Sequence, residues 1–296
     1  MQGLLLINKP EGKTSFGAVA TVKKLAGQKR VGHTGTLDPM ATGVLPIFLG
    51  RATVLSGIML DADKKYTARI KLGITTDTDD ITGEVLSQKE VLVSSEMLAE
   101  ALEHFKGESE QIPPMYSAIK KDGVRLYKLA REGKTAEIEA RKINIFSIEL
   151  VSPLNGENEF SISVHVSKGT YIRSLARDIG EYLGCGATLT ALTRTYAGGF
   201  SIEQCASLES LTQENIRDFI VSEETAVMHL REINVTEKQA IRFCNGGQLG
   251  FERLKQSDFS EGELLRVKHS DKLLGIGVAD CVRQQIGIKC ILRQEI

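Results

Sequence analysis

The segment from Val31 to Gly50, VGHTGTLDPMATGVLPIFLG, restricts the fold of this chain more than any other stretch. Between Arg30 and Arg51 it carries one formal charge, the carboxylate of Asp38. Gly32, Gly35, Gly43, Thr34, Thr36, Thr42, Pro39, Pro46 and His33 surround that acid. Three glycines open backbone conformations closed to other residues, and Pro39 biases Asp38 away from helical angles. The expectation is an irregular loop, Gly32 to Thr42, followed by a buried strand, Val44 to Leu49. An Asp-Pro pair alone marks a turn. Eleven irregular residues around one carboxylate mark a site, because functional groups concentrate on loops held by rigid elements.

The 296 residues, 42% of them hydrophobic, suffice for a large core and suggest about two domains. No apolar run approaches the ~18 residues of a membrane span. LLLI at 4–7 is too short for a signal-peptide core and lacks a basic lead, so a cytoplasmic location is expected. Cys185, Cys205, Cys244, Cys281 and Cys290 form no CxxC pair, and neither a metal nor a disulfide framework is expected. The net charge of −1 hides separate blocks: +5 over 1–66, −8 over 75–110 and +4 over 111–145. Phosphate binding depends on fields within a Debye length of about 8–10 Å, so a near-neutral chain can still present a basic face. Ordinary solvated charge fits the same blocks, and charge alone decides nothing.

Periodicity organises the rest. Gly3 to Ile7 reads as a buried strand. The GKT that follows at 12–14 fails as a phosphate-binding loop, because Ile7 stands where that loop needs its first glycine. A helix capped by Ser15 places Phe16, Val19, Val22 and Leu25 on one face and stops at Gly27. Thr53 to Leu60 reads as a second helix. Tyr66, Ala68, Ile70 and Leu72 alternate with polar residues as a half-buried strand requires. TDTDDITGE reads as a solvated turn before a strand at Val85, and its spacing does not match a calcium loop. Ser94 or Ser95 caps a helix through Leu98, Leu102 and Phe105. Between 111 and 141, KKDG reads as a hairpin turn and Val124 to Arg131 as helical. Lys120, Lys121, Arg125, Lys128, Arg131 and Lys134 alternate there with Tyr116 and Tyr127, a pattern suited to looped RNA as well as to a solvated face. Strands follow at Ile143–Leu150 and Phe160–Val166, the latter leaving His165 on the polar face as a surface residue. A helix starting near Thr170 buries Ile172, Leu175, Ala176, Ile179 and Leu183 and places Arg173 off that stripe. Residues 201–232 read as a helical bridge, and 233–296 as strand-rich with one helix, Glu237–Cys244.

KRVGHTGTLDPMATGVLP closely resembles the active-site motif of the bacterial tRNA pseudouridine-55 synthases, the TruB family. NKPEGKTSF, MYSAIK, LYKLAREG, KGTYIR and LTRTYAGGFS resemble further motifs of that family. Asn8 stands where many members have aspartate, and Val166 where the common version has cysteine. The resemblance implies an α+β fold: a mixed, mainly antiparallel sheet over 1–232, then a small β-rich PUA-like RNA-binding domain over 233–296. It also implies Asp38 as the catalytic residue, Arg173 as its ion-pair partner and Tyr66 against the target uracil. Tyr171 would line the base pocket, Leu192 would pack on the base, and His33 would fill the stack vacated by the flipped base. Lys9 and Pro10 would support the loop. Residues 111–141 would form an RNA clamp through Lys120, Lys121, Arg125, Lys128 and Arg131. The implied partner is the T-arm stem-loop of tRNA, bound by a monomer without guide RNA, membrane or cofactor.

Pseudouridine formation breaks the bond from ribose to N1 of uracil, turns the base and rejoins it through C5. Substrate and product differ only in that linkage, so no energy source is required. A base inside a stem-loop must first be flipped out, at a few kcal/mol of lost stacking. Asp38 attacking C1′, adding to the base or removing the 2′ proton all require an ionised, dry carboxylate, and a guanidinium beside it would favour the charged form. A glycoside hydrolase would need a second acid about 5–10 Å away, and none with similar surroundings is evident. A tRNA-folding chaperone is the alternative, and in it Asp38 would be dispensable.

Overall fold

The structure is a computed structural model that describes residues 1–117, 119–121, 123–133, 136–256 and 258–293, with the side chains of residues 120, 121, 127 and 131 outside that description. Along the chain run β1 (Gly3–Lys9), α1 (Ser15–Ala26), β2 (Val31–His33), β3 (Thr42–Leu49), α2 (Ser56–Leu60), β4 (Lys64–Leu72), β5 (Ile74–Thr76), β6 (Val85–Gln88), α3 (Ser95–His104), β7 (Gly107–Gln111), β8 (Lys120–Lys121), β9 (Val124–Arg125) and α4 (Leu126–Arg131). Then come β10 (Arg141–Ser152), β11 (Glu159–Val166), α5 (Ile172–Tyr182), β12 (Ala187–Ala197), β13 (Phe200–Ser201), β14 (Ala206–Ser207), β15 (Ile220–Val221) and β16 (Arg231–Asn234). The chain closes with α6 (Glu237–Cys244), β17 (Leu249–Gly250), β18 (Leu264–His269), β19 (Lys272–Asp280) and β20 (Gln285–Ile291).

The larger sheet has the order β14-β1-β3-β12-β4-β11-β10-β7. Its pairings are antiparallel except β1 with β14 and β3 with β12, giving the mixed, mainly antiparallel α+β arrangement expected. β1 is apolar at consecutive positions because both its faces are covered. Leu5 and Ile7 pack under α1, while Leu4 and Leu6 face the opposite cluster. α5 and α3 cover the other half of the sheet, against Ala68, Ile70, Ile162 and Val164. The C-terminal residues form a smaller sheet of order β16-β18-β19-β20-β17. Its Leu273 and Ile276, with Leu292 beyond it, share a core with Leu4, Leu6, Val44 and Phe48. No helix among the described residues is long and apolar enough to cross a membrane.

Several sequence expectations need correction. Thr14, not Ser15, caps α1, its hydroxyl accepting from Gly17 N at 2.9 Å, and Phe16 is 75% exposed. Val19 and Val22 keep the expected face, but Ala18 and Ala26 complete it against β1 and β3 in place of Phe16, with Leu25 only partly buried. Gly32 and His33 belong to β2, which pairs with β3 opposite Phe48 and Ile47. Only the second half of the predicted helix at 53–60 is α-helical; Gly50–Leu55 is 3-10. Val124 and Arg125 extend the hairpin, and the helix begins at Leu126. Residues 201–232 are not a helical bridge: β14 and β15 pair along the edge of β1 away from β3, and short 3-10 turns join them. Such strands of two residues obtain their pairing from β1, so local periodicity does not announce them.

Candidate active site

The loop after β2 is held from below by groups that leave Asp38 free to face the cleft. Ser15 Oγ accepts from Leu37 N at 2.8 Å and donates to Leu37 O at 3.1 Å. Lys9, fully buried, donates to the carbonyls of Pro10 (2.7 Å), Lys13 (2.5 Å) and Pro39 (3.2 Å). Burial lowers its pKa to about 8. Asn8 Oδ1 accepts from Gly43 N at 3.1 Å, so the asparagine supplies the acceptor that an aspartate would supply. Gly43 itself is required by contact: a Cβ there would lie 2.2 Å from Arg194 O, and its φ is +106°.

Arg173 arrives from the first turn of α5. Its Nε lies 2.9 Å from Asp38 Oδ2, and its Nη2 donates to Asp38 Oδ1 at 3.2 Å, an edge-on bidentate pair. The same guanidinium donates to Thr78 O (3.0 Å) and Tyr116 O (2.9 Å) and lies 3.6 Å from Asp80 Oδ2. Arg173 is 5% exposed: off the apolar stripe of α5, it is buried against the Asp38 loop. The supposedly solvated turn at 77–80 is corrected: it folds over α5, where Asp80 is buried and Asp79 pairs with Arg177 at 3.1 Å. α5 lacks a side-chain cap of its own. Gln111, buried at the end of β7, anchors the residue before the helix by accepting from Tyr171 N at 2.8 Å and donating to Tyr171 O at 3.1 Å.

A cavity of about 330 Å³ opens beside this pair, lined by Asp38, Tyr66, Tyr116, Tyr171, Arg173 and Leu192, with Lys64 and Arg194 further along its wall. Asp38 keeps 34% of its side-chain surface open, all other sides being flanked by protein. Burial raises its carboxyl pKa and Asp80 adds to that, while Arg173 opposes both. Burial likewise raises the phenol of Tyr171.

Of the residues expected at a site, Asp38, Tyr66, Tyr171, Arg173 and Leu192 meet at one cavity. Lys9 and Pro10 stand behind the loop. His33 is half-buried on β2, outside the cavity lining, with its pKa lowered by burial and by Arg194. In the clamp segment Arg125 and Lys128 are exposed, and the side chains of Lys120, Lys121 and Arg131 lie outside the described residues, as does all of Lys134. His165 is not free on the surface but bonds Asp63. Sequence reasoning missed Asp80, Lys64 and Arg194. The signal for Arg194 was its position two residues after Leu192 on one strand face.

Two family models match in succession: TruB family pseudouridylate synthase (N terminal domain) over residues 23–172, and the tRNA pseudouridylate synthase B C-terminal domain over 173–233. The chain belongs to the TruB family of pseudouridylate synthases. The TruB-family proteins named tRNA pseudouridine synthase B from Clostridium tetani and Azoarcus sp. are 45% and 44% identical to it. Those alignments take in 94% of this chain in each case, and 95% and 91% of the relatives. Among solved structures, a Cbf5-Nop10-Gar1 complex contains a chain of the same fold, with TM-score 0.77 and 27% identity over 98% of this chain and 85% of that one. An archaeal box H/ACA sRNP Nop10-Cbf5 complex gives TM-score 0.74 and 25% identity, over 98% and 86%. As a member of the TruB family, the chain is a pseudouridine-forming isomerase.

Proposed function

We propose that the chain converts uridine 55 in the T-loop of tRNA to pseudouridine, with Asp38 as the catalytic carboxylate. The observation that carries this reading is the bidentate Asp38–Arg173 pair on the wall of a cavity that also presents Tyr66, Tyr171 and Leu192. An everted uracil needs apolar and aromatic surface for its faces, and an ionised carboxylate must reach its sugar or ring. Tyr66 and Leu192 offer that surface. Arg173 opposes the burial that would otherwise protonate Asp38. In the reaction the C1′–N1 bond breaks, C1′ bonds to C5, the C5 hydrogen leaves and N1 is protonated. Nothing else is consumed. The relatives' name, tRNA pseudouridine synthase B, supports tRNA as substrate. The basic segment 111–141 supports a grip on the T-arm outside the cavity.

The test is to incubate a T-arm stem-loop with the purified chain and map pseudouridine at single-nucleotide resolution. Conversion at position 55 alone is expected, and none with Asp38→Asn, while that variant still binds the stem-loop. Product from Asp38→Asn at the wild-type rate would overturn the assignment. Tight binding without any conversion by the wild type would favour a folding chaperone.

A further inference from the structure

Arg194 is 1% exposed, the largest side chain in the fully buried set, and it lines the catalytic cavity. Its Nε donates to Val44 O at 2.8 Å and its Nη2 to Gly35 O at 3.2 Å. Among the described residues no carboxylate comes within ion-pair distance, and Nη1 makes no hydrogen bond. A buried guanidinium with only neutral carbonyl partners has lost its water without gaining a counter-charge. Its neighbours add to the imbalance. Lys64, buried in the same wall, bonds only the carbonyls of Leu60 and Ala62 and likewise has no carboxylate in ion-pair range. Burial and, next, Arg194 lower the pKa of Lys64 to about 8. The cavity is thus polarised. At one wall Asp38 and Asp80 share the guanidinium of Arg173; at the other, no carboxylate among the described residues comes within ion-pair distance of Arg194 or Lys64, and Asp61 and Asp63 act on Lys64 only from further off.

From this we infer that Arg194, assisted by Lys64, is an anion subsite that receives a phosphodiester oxygen next to the everted nucleotide. The inference rests on the reading of this cavity as a nucleotide site and adds the part of the nucleotide it leaves unassigned. Uracil and ribose are neutral, so the phosphate is the only group of the substrate that can supply the missing charge. The Asp38 wall repels it. Arg194 pairs across the strands with Tyr66, which places the cation beside the surface offered to the base. A planar guanidinium already fixed on two sides by Val44 and Gly35 directs its remaining donors without further ordering.

The test is a chemical double-mutant cycle. T-arm stem-loops are made with one uncharged methylphosphonate linkage, either 5′ or 3′ of the target uridine, or at a remote stem position as control. Binding and single-turnover rates are measured with the wild type, Arg194→Gln and Arg194→Lys. In the wild type one flanking substitution is expected to weaken binding roughly tenfold or more, the scale of a charge-assisted hydrogen bond. In Arg194→Gln that penalty disappears, and Arg194→Lys recovers part of it. Indifference of the wild type to both flanking linkages overturns the subsite, and so does an equal penalty in wild type and Arg194→Gln. If Arg194→Gln fails to fold, Lys64→Met takes its place in the cycle. A methylphosphonate penalty in binding together with no conversion of the unmodified stem-loop would reject the proposed reaction while leaving the subsite standing.

Discussion

Arg173 Nε and Asp38 Oδ2 lie 2.9 Å apart although 135 residues separate them in the chain. Two parallel N–H···O contacts need the flat fork of arginine, and an ammonium can offer only a point charge. Arg173→Lys is therefore expected to reduce kcat roughly 10–100-fold with tRNA binding little changed, because the lost interaction acts on the reacting group. Steady-state kinetics on a T-arm stem-loop checks this, and near-normal turnover would argue against the pair's role.

The balance of burial against Arg173 also sets a pH limit. Asp38 titrates above the ordinary carboxylate value of 3.8, since burial outweighs the guanidinium. With Asp38 as the proposed catalytic carboxylate, the ionised form is required and kcat/KM is expected to rise with pH through that elevated value. Removing the cation in Arg173→Gln removes an influence that lowers the pKa, and the acid limb moves further up. A pH–rate profile of both proteins decides it; an unmoved limb in the variant would contradict the account.

Asp79 gives a separate pH signature in stability. Burial pushes its carboxyl up to about 6, with Arg177 opposing. A folded pKa above the unfolded one contributes stability that is complete below about pH 4 and lost as pH rises through about 6. Relative to Asp79→Asn, the wild type is expected to lose up to about 3 kcal/mol across that window. Urea midpoints at acid and neutral pH measure the difference between the two proteins.

Gly43→Ala should be among the most damaging small substitutions. The new methyl would meet Arg194 O at 2.2 Å, on a backbone with φ of +106°. A loss of roughly 2–4 kcal/mol is expected from strain and displaced strands. Thermal unfolding reads it, and an unchanged Tm would show that β3 and β12 can separate freely.

Ile276 lies in the C-terminal sheet yet packs in the core with Leu4 and Phe48. Ile276→Ala is expected to cost about 2–5 kcal/mol and to lower the unfolding temperature of both parts together. Calorimetry should show one transition in both proteins. Two separated transitions would mean that the C-terminal sheet is energetically independent.

What could be read from the residues follows range. The irregular loop around Asp38, the alternation through Tyr66 and the stripe of α5 depend on neighbours a few positions away, and all three were legible. Phe16 was misplaced because its exposure depends on which side β1 and β3 approach. The turn at Asp79 and Asp80 looked solvated because its cations, Arg173 and Arg177, arrive nearly a hundred residues later. Residues 206–207 and 220–221 are strands only because β1 offers them the edge that β3 leaves open. The burial of Arg194 depends on the carbonyls of Val44 and Gly35, which lie about 150 positions away in the chain, so only its strand face, shared with Leu192, is local.

The separation of the two halves of the ion pair bears on the protein's birth. Synthesis delivers the acid early, and every nascent fragment that stops short of position 173 holds it with no guanidinium at its side. Leu192 and Arg194 follow later still on β12, which must insert between β3 and β4. If these residues act as proposed, competence to modify RNA is withheld from the ribosome-bound chain until the central strand has been threaded into place.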